Sequence, residues 1–302
     1  MARVDVVVVS YNSRGVLREC VEPLAGRPGV EVVVVDNAST DGSPEAIADL
    51  DSAVVRLEEN RGFAYGCNVG WRAGDAPAVL FLNPDARIEP PALERLLQAL
   101  EDAPEAGIVG PRIVEEDGSL AFSQRRFPRL RSTYAQALFL HRLFPRARWA
   151  SELVRDPEAY ERPGRPEWVS GACLLVRRSV LEELGGFDEG FLLYCEDKDL
   201  CRRARGRGYD VRFEPGAVVC HEGGASAPRS ALLPVLAASR VRYARKHAGR
   251  AAARLERLGI GLGALTHVLA ARGGRRSRAG HASSLLYSLG LRPVPTLPGA
   301  RR

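Results

Sequence analysis

Apolar, strand-like runs alternate with helical stretches through the first third of the chain, and no other feature of the sequence restricts its fold so strongly. Residues 4–9 and 30–35 are valine-rich, residues 53–57 and 78–82 are shorter apolar runs, and residues 107–110 add another. Helical stretches fall between them: one capped by Ser13 and running to Leu24, one opened by Ser43-Pro44, one reaching Ala73, and one from Pro90-Pro91 to Leu100. Runs without polar alternation belong to strands covered on both faces. Strand–helix order of this kind predicts an α/β fold with a parallel, doubly wound sheet.

The runs stop at polar turns. Residues 4–9 lead into Ser10-Tyr11-Asn12, residues 30–35 into Asp36-Asn37, and residues 78–82 into Asn83-Pro84-Asp85. Ligands of open α/β sheets sit beyond the carboxyl ends of the strands, so Asp36 and Asp85 stand where a ligand would be met. Taken alone, such a run reads better as a strand followed by a solvated turn, and what favours a ligand is that several of them end at the same edge. The first turn carries no G-x-G-x-x-G, which argues against a dinucleotide-binding oxidoreductase.

Residues 123–166 break the rhythm and read as an insertion beside the active face, with a helix over 133–143, either a surface excursion or part of an acceptor site. Residues 168–176 (WVSGACLLV) read as one strand, and Glu196-Asp197 open a helix, which an ordinary preference for acids in a first turn also explains. Short strands over 211–213 and 217–219 follow, the second ending at Cys220-His221, with glycines at 223 and 224.

In this order, Ser10-Tyr11-Asn12, Val35-Asp36-Asn37-Ala38-Ser39-Thr40-Asp41-Gly42-Ser43, Glu59-Asn60-Arg61-Gly62-Phe63-Ala64, Leu82-Asn83-Pro84-Asp85, Trp168-Val169-Ser170-Gly171-Ala172, Tyr194 to Arg203 and His221 resemble an inverting glycosyltransferase of family 2, on its rhamnosyltransferase-like branch. The resemblance spans roughly residues 4–226. It implies a Rossmann-like glycosyltransferase-A fold with a mixed, mostly parallel sheet, and transfer of rhamnose or a hexose from a dTDP- or UDP-sugar to a saccharide acceptor, lipid-linked in cell-surface polysaccharide synthesis.

By the same resemblance, Asp36 reads the N3–H of a pyrimidine, as an acceptor-only carboxylate suits. Ser10, Tyr11, Asn12, Asn60 and Gly62 line the nucleoside pocket, Gly62 by permitting close backbone approach. Asn83 replaces the first acid of the family's Asp-x-Asp motif, leaving Asp85 and His221 to hold Mg²⁺ or Mn²⁺. Asp197 corresponds to the catalytic base, Glu196 and Asp199 to orienting or acceptor contacts, and Arg203 to a partner of these acids. Trp168 and Gly171 fall beside the donor sugar and acceptor, the indole being suited to stack on a sugar face.

Charge divides the chain. Residues 229–302 hold 15 Lys and Arg against Glu256 alone, a net of +14, while the 28 basic and 36 acidic residues before them leave −8. The division expected is a catalytic domain over 1–228, with nucleotide-binding and acceptor-binding halves meeting near 122, and a basic helical extension over 229–302 that is flexible from about 273. Residues 258–271 are apolar but too short to span a bilayer, so an interfacial helix on anionic lipid and a solvated helix capping the catalytic domain both remain open. Nucleic acid is not the expected partner, since the tail carries Tyr243 but no run of interleaved aromatics. Six cysteines without C-x-x-C spacing, and a strand starting at Val4, fit a cytoplasmic protein, peripheral on the inner membrane's cytoplasmic face. A catalytically silent sugar-nucleotide-binding scaffold is the alternative, supported by Asn83.

Overall fold

The computed structural model describes residues 2–223, 229–270 and 275–293. The chain runs β1 (Val4–Ser10), α1 (Leu17–Val21), β2 (Val30–Asp36), a 3-10 turn at Pro44–Ile47, β3 (Ala53–Arg56), α2 (Phe63–Arg72), β4 (Ala78–Leu82), β5 (Ala86–Ile88), α3 (Pro90–Glu101) and β6 (Ala106–Val114). After the hairpin at Asp117-Gly118 come β7 (Leu120–Ala121), β8 (Gln124–Arg125), α4 (Leu130–Ala137), α5 (Leu140–Leu143), a second 3-10 turn at Pro157–Tyr160, and β9 (Trp168–Val169). Then follow β10 (Cys173–Arg177), α6 (Arg178–Leu184), α7 (Glu196–Gly206), β11 (Asp210–His221), α8 (Arg229–Ala270) and α9 (Arg275–Ser288).

The main sheet has the order β3-β2-β1-β4-β10-β6-β11-β5, with β7 added to β6. Strands β3, β2, β1 and β4 are parallel, as are β6 and β11, but β10 runs antiparallel between β4 and β6. The sheet is therefore mixed, because β10 enters from the 123–169 excursion and not from a crossover helix. Valine runs follow from burial on both faces: Val4, Val6 and Val8 of β1 pack with α1 and α3, while Val7 and Val9 pack with α2 and α7. Asp5 interrupts the run at a buried site, where Arg178 and the Ala76 amide satisfy its carboxylate.

Several local expectations change. Ser13 and Ser43 do not cap helices through their side chains; the Ser43 hydroxyl instead accepts from the Ser13 amide at 2.8 Å and tethers the loops after β1 and β2. The expected helix to Leu24 is reduced to α1, and the helix over 133–143 is cut in two by Phe139 in the left-handed region (φ 59°). The 168–176 strand breaks at 170–172, so that β9 pairs with β8 and β10 joins the main sheet. Conversely, 211–213 and 217–219 belong to one strand, irregular between Glu214 and Val218.

The tail is more ordered than its composition predicts. Helix α8 packs on α4 and α9, with a non-helical break at Gly249. Glycines at 259 and 261 sit where a Cβ would lie 2.9 Å from Thr133 and 2.6 Å from Ser288, so the glycine side of this part of α8 packs closely on its neighbours, while Leu258, Leu265 and Leu269 stay exposed. Residues 275–288, expected to be flexible, form α9, held by Arg257 donating to the Tyr287 and Ser288 carbonyls. The expected boundary at 228, Gly224 and the prolines at 295 and 298 lie outside the described residues. Among the described residues no helix is long and apolar enough to cross a membrane, and all six cysteines are free.

Candidate active site

Polar groups gather at the carboxyl edge of the parallel strands. Ser10 ends β1, fully buried, and its hydroxyl has no hydrogen-bond partner among the described residues. Asp36 ends β2 at 4% exposure: Oδ2 accepts from the Ser39 amide at 3.2 Å, while Oδ1 is buried without a partner. Two orphaned polar atoms on adjacent strand ends, registered Ser10 to Asp36, are a cost that a bound ligand removes. Tyr11 lies half-buried beside them; Asn12 spends its amide oxygen on the Thr40 amide at 2.9 Å and so braces the loop after Asp36.

The wall opposite is the 60–62 turn. The Asn60 side chain accepts from the Gly62 amide at 3.0 Å, and Asn37, which sequence reasoning did not single out, clamps the turn through the Arg61 amide at 3.0 Å and the Gly62 carbonyl at 3.2 Å. Its position one residue beyond Asp36 was the available signal. Gly62 has φ 89°, and a Cβ there would sit 2.3 Å from the Leu192 carbonyl. The close neighbour that demands glycine is therefore the chain's own 191–195 segment, whose Leu192 carbonyl also accepts from the Phe63 amide at 2.9 Å.

Asp85 and His221 face each other. Pairing of β5 with β11 sets His221 opposite Ala86, and His221 Nε2 lies 3.2 Å from Asp85 Oδ1 and 3.3 Å from the Asn83 amide nitrogen. Ligand atoms about 2.1 Å from an octahedral ion, on adjacent vertices, are about 3 Å apart, so this pair fits one Mg²⁺ or Mn²⁺. Among the described residues no third His, Cys, Asp or Glu joins them, so an ion held by this pair would have to complete its shell with phosphate oxygens and water.

Asp197, half-buried in the first turn of α7, accepts from the Gly171 amide at 3.0 Å through Oδ2 and from the Lys198 amide at 2.7 Å through Oδ1. The break between β9 and β10 is what aims the Gly171 amide at it. A Cβ on residue 171 would come within 3.0 Å of Asp197 Cβ.

A family model for glycosyl transferase family 2 matches residues 5–185. The chain belongs to glycosyltransferase family 2. It is 36% identical over 233 residues, 72% of this chain and 75% of the relative, to the N-acetylglucosaminyl-diphospho-decaprenol L-rhamnosyltransferase of Mycobacterium tuberculosis. It is also 29% identical to rhamnosyltransferase WbbL of Escherichia coli, over 72% of this chain and 83% of that one, which puts it on the rhamnosyltransferase-like branch. Among solved structures, Staphylococcus aureus TarS residues 1–349 with UDP (TM-score 0.51, 17% identity, 96% of this chain and 71% of that one) share its fold. So does the mannosyltransferase of Pyrobaculum calidifontis with GDP-mannose and Mn²⁺ (TM-score 0.55, 20% identity, 95% and 87%). The architecture is thus that of glycosyltransferase-A enzymes.

In this glycosyltransferase the remaining acids divide. Glu196 is 5% exposed and its Oε2 has no partner among the described residues; burial, with the Asp197 carboxylate beside it, pushes its carboxyl up to about 8. Its neutral form is favoured, which eases the repulsion against Asp197. Between its ordinary value of 4.5 and about 8 the folded chain keeps a proton that the unfolded chain has released. Its contribution to stability is thus complete below about pH 4.5 and falls, by at most about 1.4 kcal/mol per unit, as pH rises through that window. Melting temperatures from pH 5 to 9 should show this slope, and Glu196→Gln should flatten it; the same slope in the variant would place the titration elsewhere.

Asp199 turns the other way. Fully buried, it accepts from Arg203 Nε, Lys246 Nζ and His247 Nε2, each at 2.7 Å. Burial opposes its ionisation, but the hydrogen bonds from His247 and Lys246, with Arg203, hold its carboxyl below the ordinary range. The expected acceptor contact is instead a latch between α7 and α8, and Arg203 completes it while donating to the Leu184 and Gly186 carbonyls. Trp168 is 5% exposed, donates to the Arg126 carbonyl at 2.9 Å and has Lys198 Nζ 4.8 Å from its ring centre, so the expected sugar-stacking face is taken up by the protein itself. Pairing of β9 with β8 turns it inward.

Proposed function

We propose that the enzyme is an inverting, divalent-cation-dependent transferase that moves rhamnose, or a related hexose, from a dTDP- or UDP-sugar to an N-acetylglucosaminyl diphosphate carried on a polyprenyl lipid. The observation that carries this reading is the strand-edge set: the unpartnered Asp36 carboxylate oxygen, the Asp85–His221 pair and the Asp197 turn, joined through the Gly62–Leu192 contact. The relatives named as rhamnosyltransferases supply the sugar and the acceptor class.

Asp36 Oδ1 would accept the pyrimidine imide N–H, with the Ser10 hydroxyl beside it. Asp85 and His221 would hold Mg²⁺ or Mn²⁺, whose charge offsets that of the departing nucleoside diphosphate. Asp197, kept in place by two backbone amides, would take the proton of the acceptor hydroxyl as its oxygen bonds to the anomeric carbon and the carbon–oxygen bond to the diphosphate breaks on the opposite face. Peripheral attachment to anionic membrane belongs to the same proposal. It is supported by Leu258, Leu265 and Leu269, exposed on α8, with the basic residues of that helix.

The test is transfer from a panel of dTDP- and UDP-sugars to a short-chain prenyl-diphospho-N-acetylglucosamine, with and without chelator. Product should form with one donor, vanish on chelation and return with Mg²⁺ or Mn²⁺. In calorimetry, Asp85→Ala should lose metal-dependent nucleotide binding; full binding in that variant, or chelator-insensitive transfer, would remove the metal from the proposal. Flotation with anionic but not neutral vesicles checks the membrane part.

A further inference from the structure

A second cavity, of about 610 Å³, lies behind the Asp197 turn, walled by residues 127–130, by α7 and by α8. Lys198, Arg202 and Arg205 reach it from a single face of α7, since they recur at three- and four-residue intervals, and Cys195 joins them from just before the helix. Five arginine and lysine side chains line it against two glutamates. Four of the basic groups around it are answered within the protein: Arg240 by Glu256, Lys198 by Glu152, His247 by Asp199, and Arg129 by Glu167.

Arg202 and Arg205 are not. Arg202 is half-buried with its guanidinium 5.2 Å from the Phe127 ring centre, Arg205 donates only to the Pro166 carbonyl at 3.4 Å, and neither meets an acid among the described residues. Tyr243 adds an independent sign. Its hydroxyl is buried in the same cavity and has no acceptor for its proton among the described residues, and the neighbouring Arg202 can only donate. A half-buried guanidinium and an exposed one, neither paired with an acid among the described residues, face the same cavity as an unanswered hydroxyl donor, and together they describe an anion's place.

We infer that this cavity binds the diphosphate of the acceptor, with Arg202 and Arg205 as the clamp and Tyr243 donating a further hydrogen bond. The inference rests on the reading of the acceptor as a lipid-linked sugar diphosphate. Planar guanidinium groups suit phosphate oxygens, and the apolar Phe127, Leu130, Ala244 and Ala248 offer a wall for the first carbons of the prenyl chain. Its position fits as well, because Cys195 and Lys198 of the cavity wall flank Glu196 and Asp197. A sugar 1-diphosphate needs just such proximity between the hydroxyl that attacks and the diphosphate that is held.

Calorimetry on the full chain with geranyl diphosphate, inorganic pyrophosphate and phosphatidylglycerol micelles, together with steady-state kinetics, tests this. Geranyl diphosphate should bind, Arg202→Gln and Tyr243→Phe should each weaken it, the former at least ten-fold, and Arg202→Lys should recover part of the loss. The acceptor KM should rise at least ten-fold in Arg202→Gln with donor KM and Tm unchanged. Pyrophosphate competing with geranyl diphosphate supports a site for the diphosphate itself; phosphatidylglycerol competing equally would make it a lipid-headgroup site and overturn the assignment. Displacement of geranyl diphosphate by UDP or dTDP, or an unchanged acceptor KM in Arg202→Gln, would also overturn it. If no acceptor is glycosylated while geranyl diphosphate binding still depends on Arg202, the cavity stands and the proposed reaction falls.

Discussion

Asp197→Asn is expected to lower kcat about a thousand-fold, equivalent to about 4 kcal/mol of transition-state stabilisation, while leaving donor KM close to wild type. The amide keeps the shape of the carboxylate and can still accept from the Gly171 or the Lys198 amide, but it has no basicity with which to take a hydroxyl proton. Loss of rate without loss of donor binding is the signature of a group that acts in the transition state. Transfer within ten-fold of wild type would remove Asp197 from that role. Gly171 offers a second view of the same contact: with 3.0 Å available to a Cβ, even alanine at 171 presses on the carboxylate it orients.

The second large effect concerns stability. Asp199→Ala should lower the unfolding free energy by about 3–5 kcal/mol, because it leaves Arg203, Lys246 and His247 gathered around a buried site with their shared anion gone. In a chain of this size that corresponds to a drop in melting temperature of roughly 5–8 °C. Lys246→Ala alone should cost much less, since Asp199 keeps Arg203 and His247, and Asp188, the other partner of Lys246, keeps Arg242. A loss in Asp199→Ala no greater than in Lys246→Ala would mean that the latch between α7 and α8 contributes little. Differential scanning of both variants at one pH, near neutrality, decides between these outcomes.

Much of the fold was legible because valine runs buried on both faces have few alternatives, and strand ends closed by Asp36 and Asn83-Pro84-Asp85 could be read directly. The antiparallel β10 was not, because an apolar strand carries no mark of its direction; that depends on the 123–169 excursion preceding it. Within the candidate site, Asp36 ends β2, Asp85 follows β4 and faces His221 at the end of β11, and Asp197 opens α7 beside the Gly171 amide. Asp199 and Trp168 do not open onto the site: helical geometry turns residue 199 away from residue 197, and pairing of β9 with β8 draws the indole into the core. His247 was out of reach of sequence reasoning for a different cause. A histidine in a basic, alanine-rich helix is unremarkable until the partner 48 residues earlier is seen beside it.

The contact between Gly62 and Leu192 bears on how such enzymes diversify. It is made by main-chain atoms, the Phe63 amide on the Leu192 carbonyl, so mutations at Arg61, Phe63 or Leu192 can remodel the surroundings without unhitching one loop from the other. Only residue 62 itself is barred from change. The span between the strand end bearing Asp36 and the turn bearing Asp197 is in this way insulated from side-chain drift, and a lineage is free to change the side chains around it while the separation of those two carboxylates stays constant.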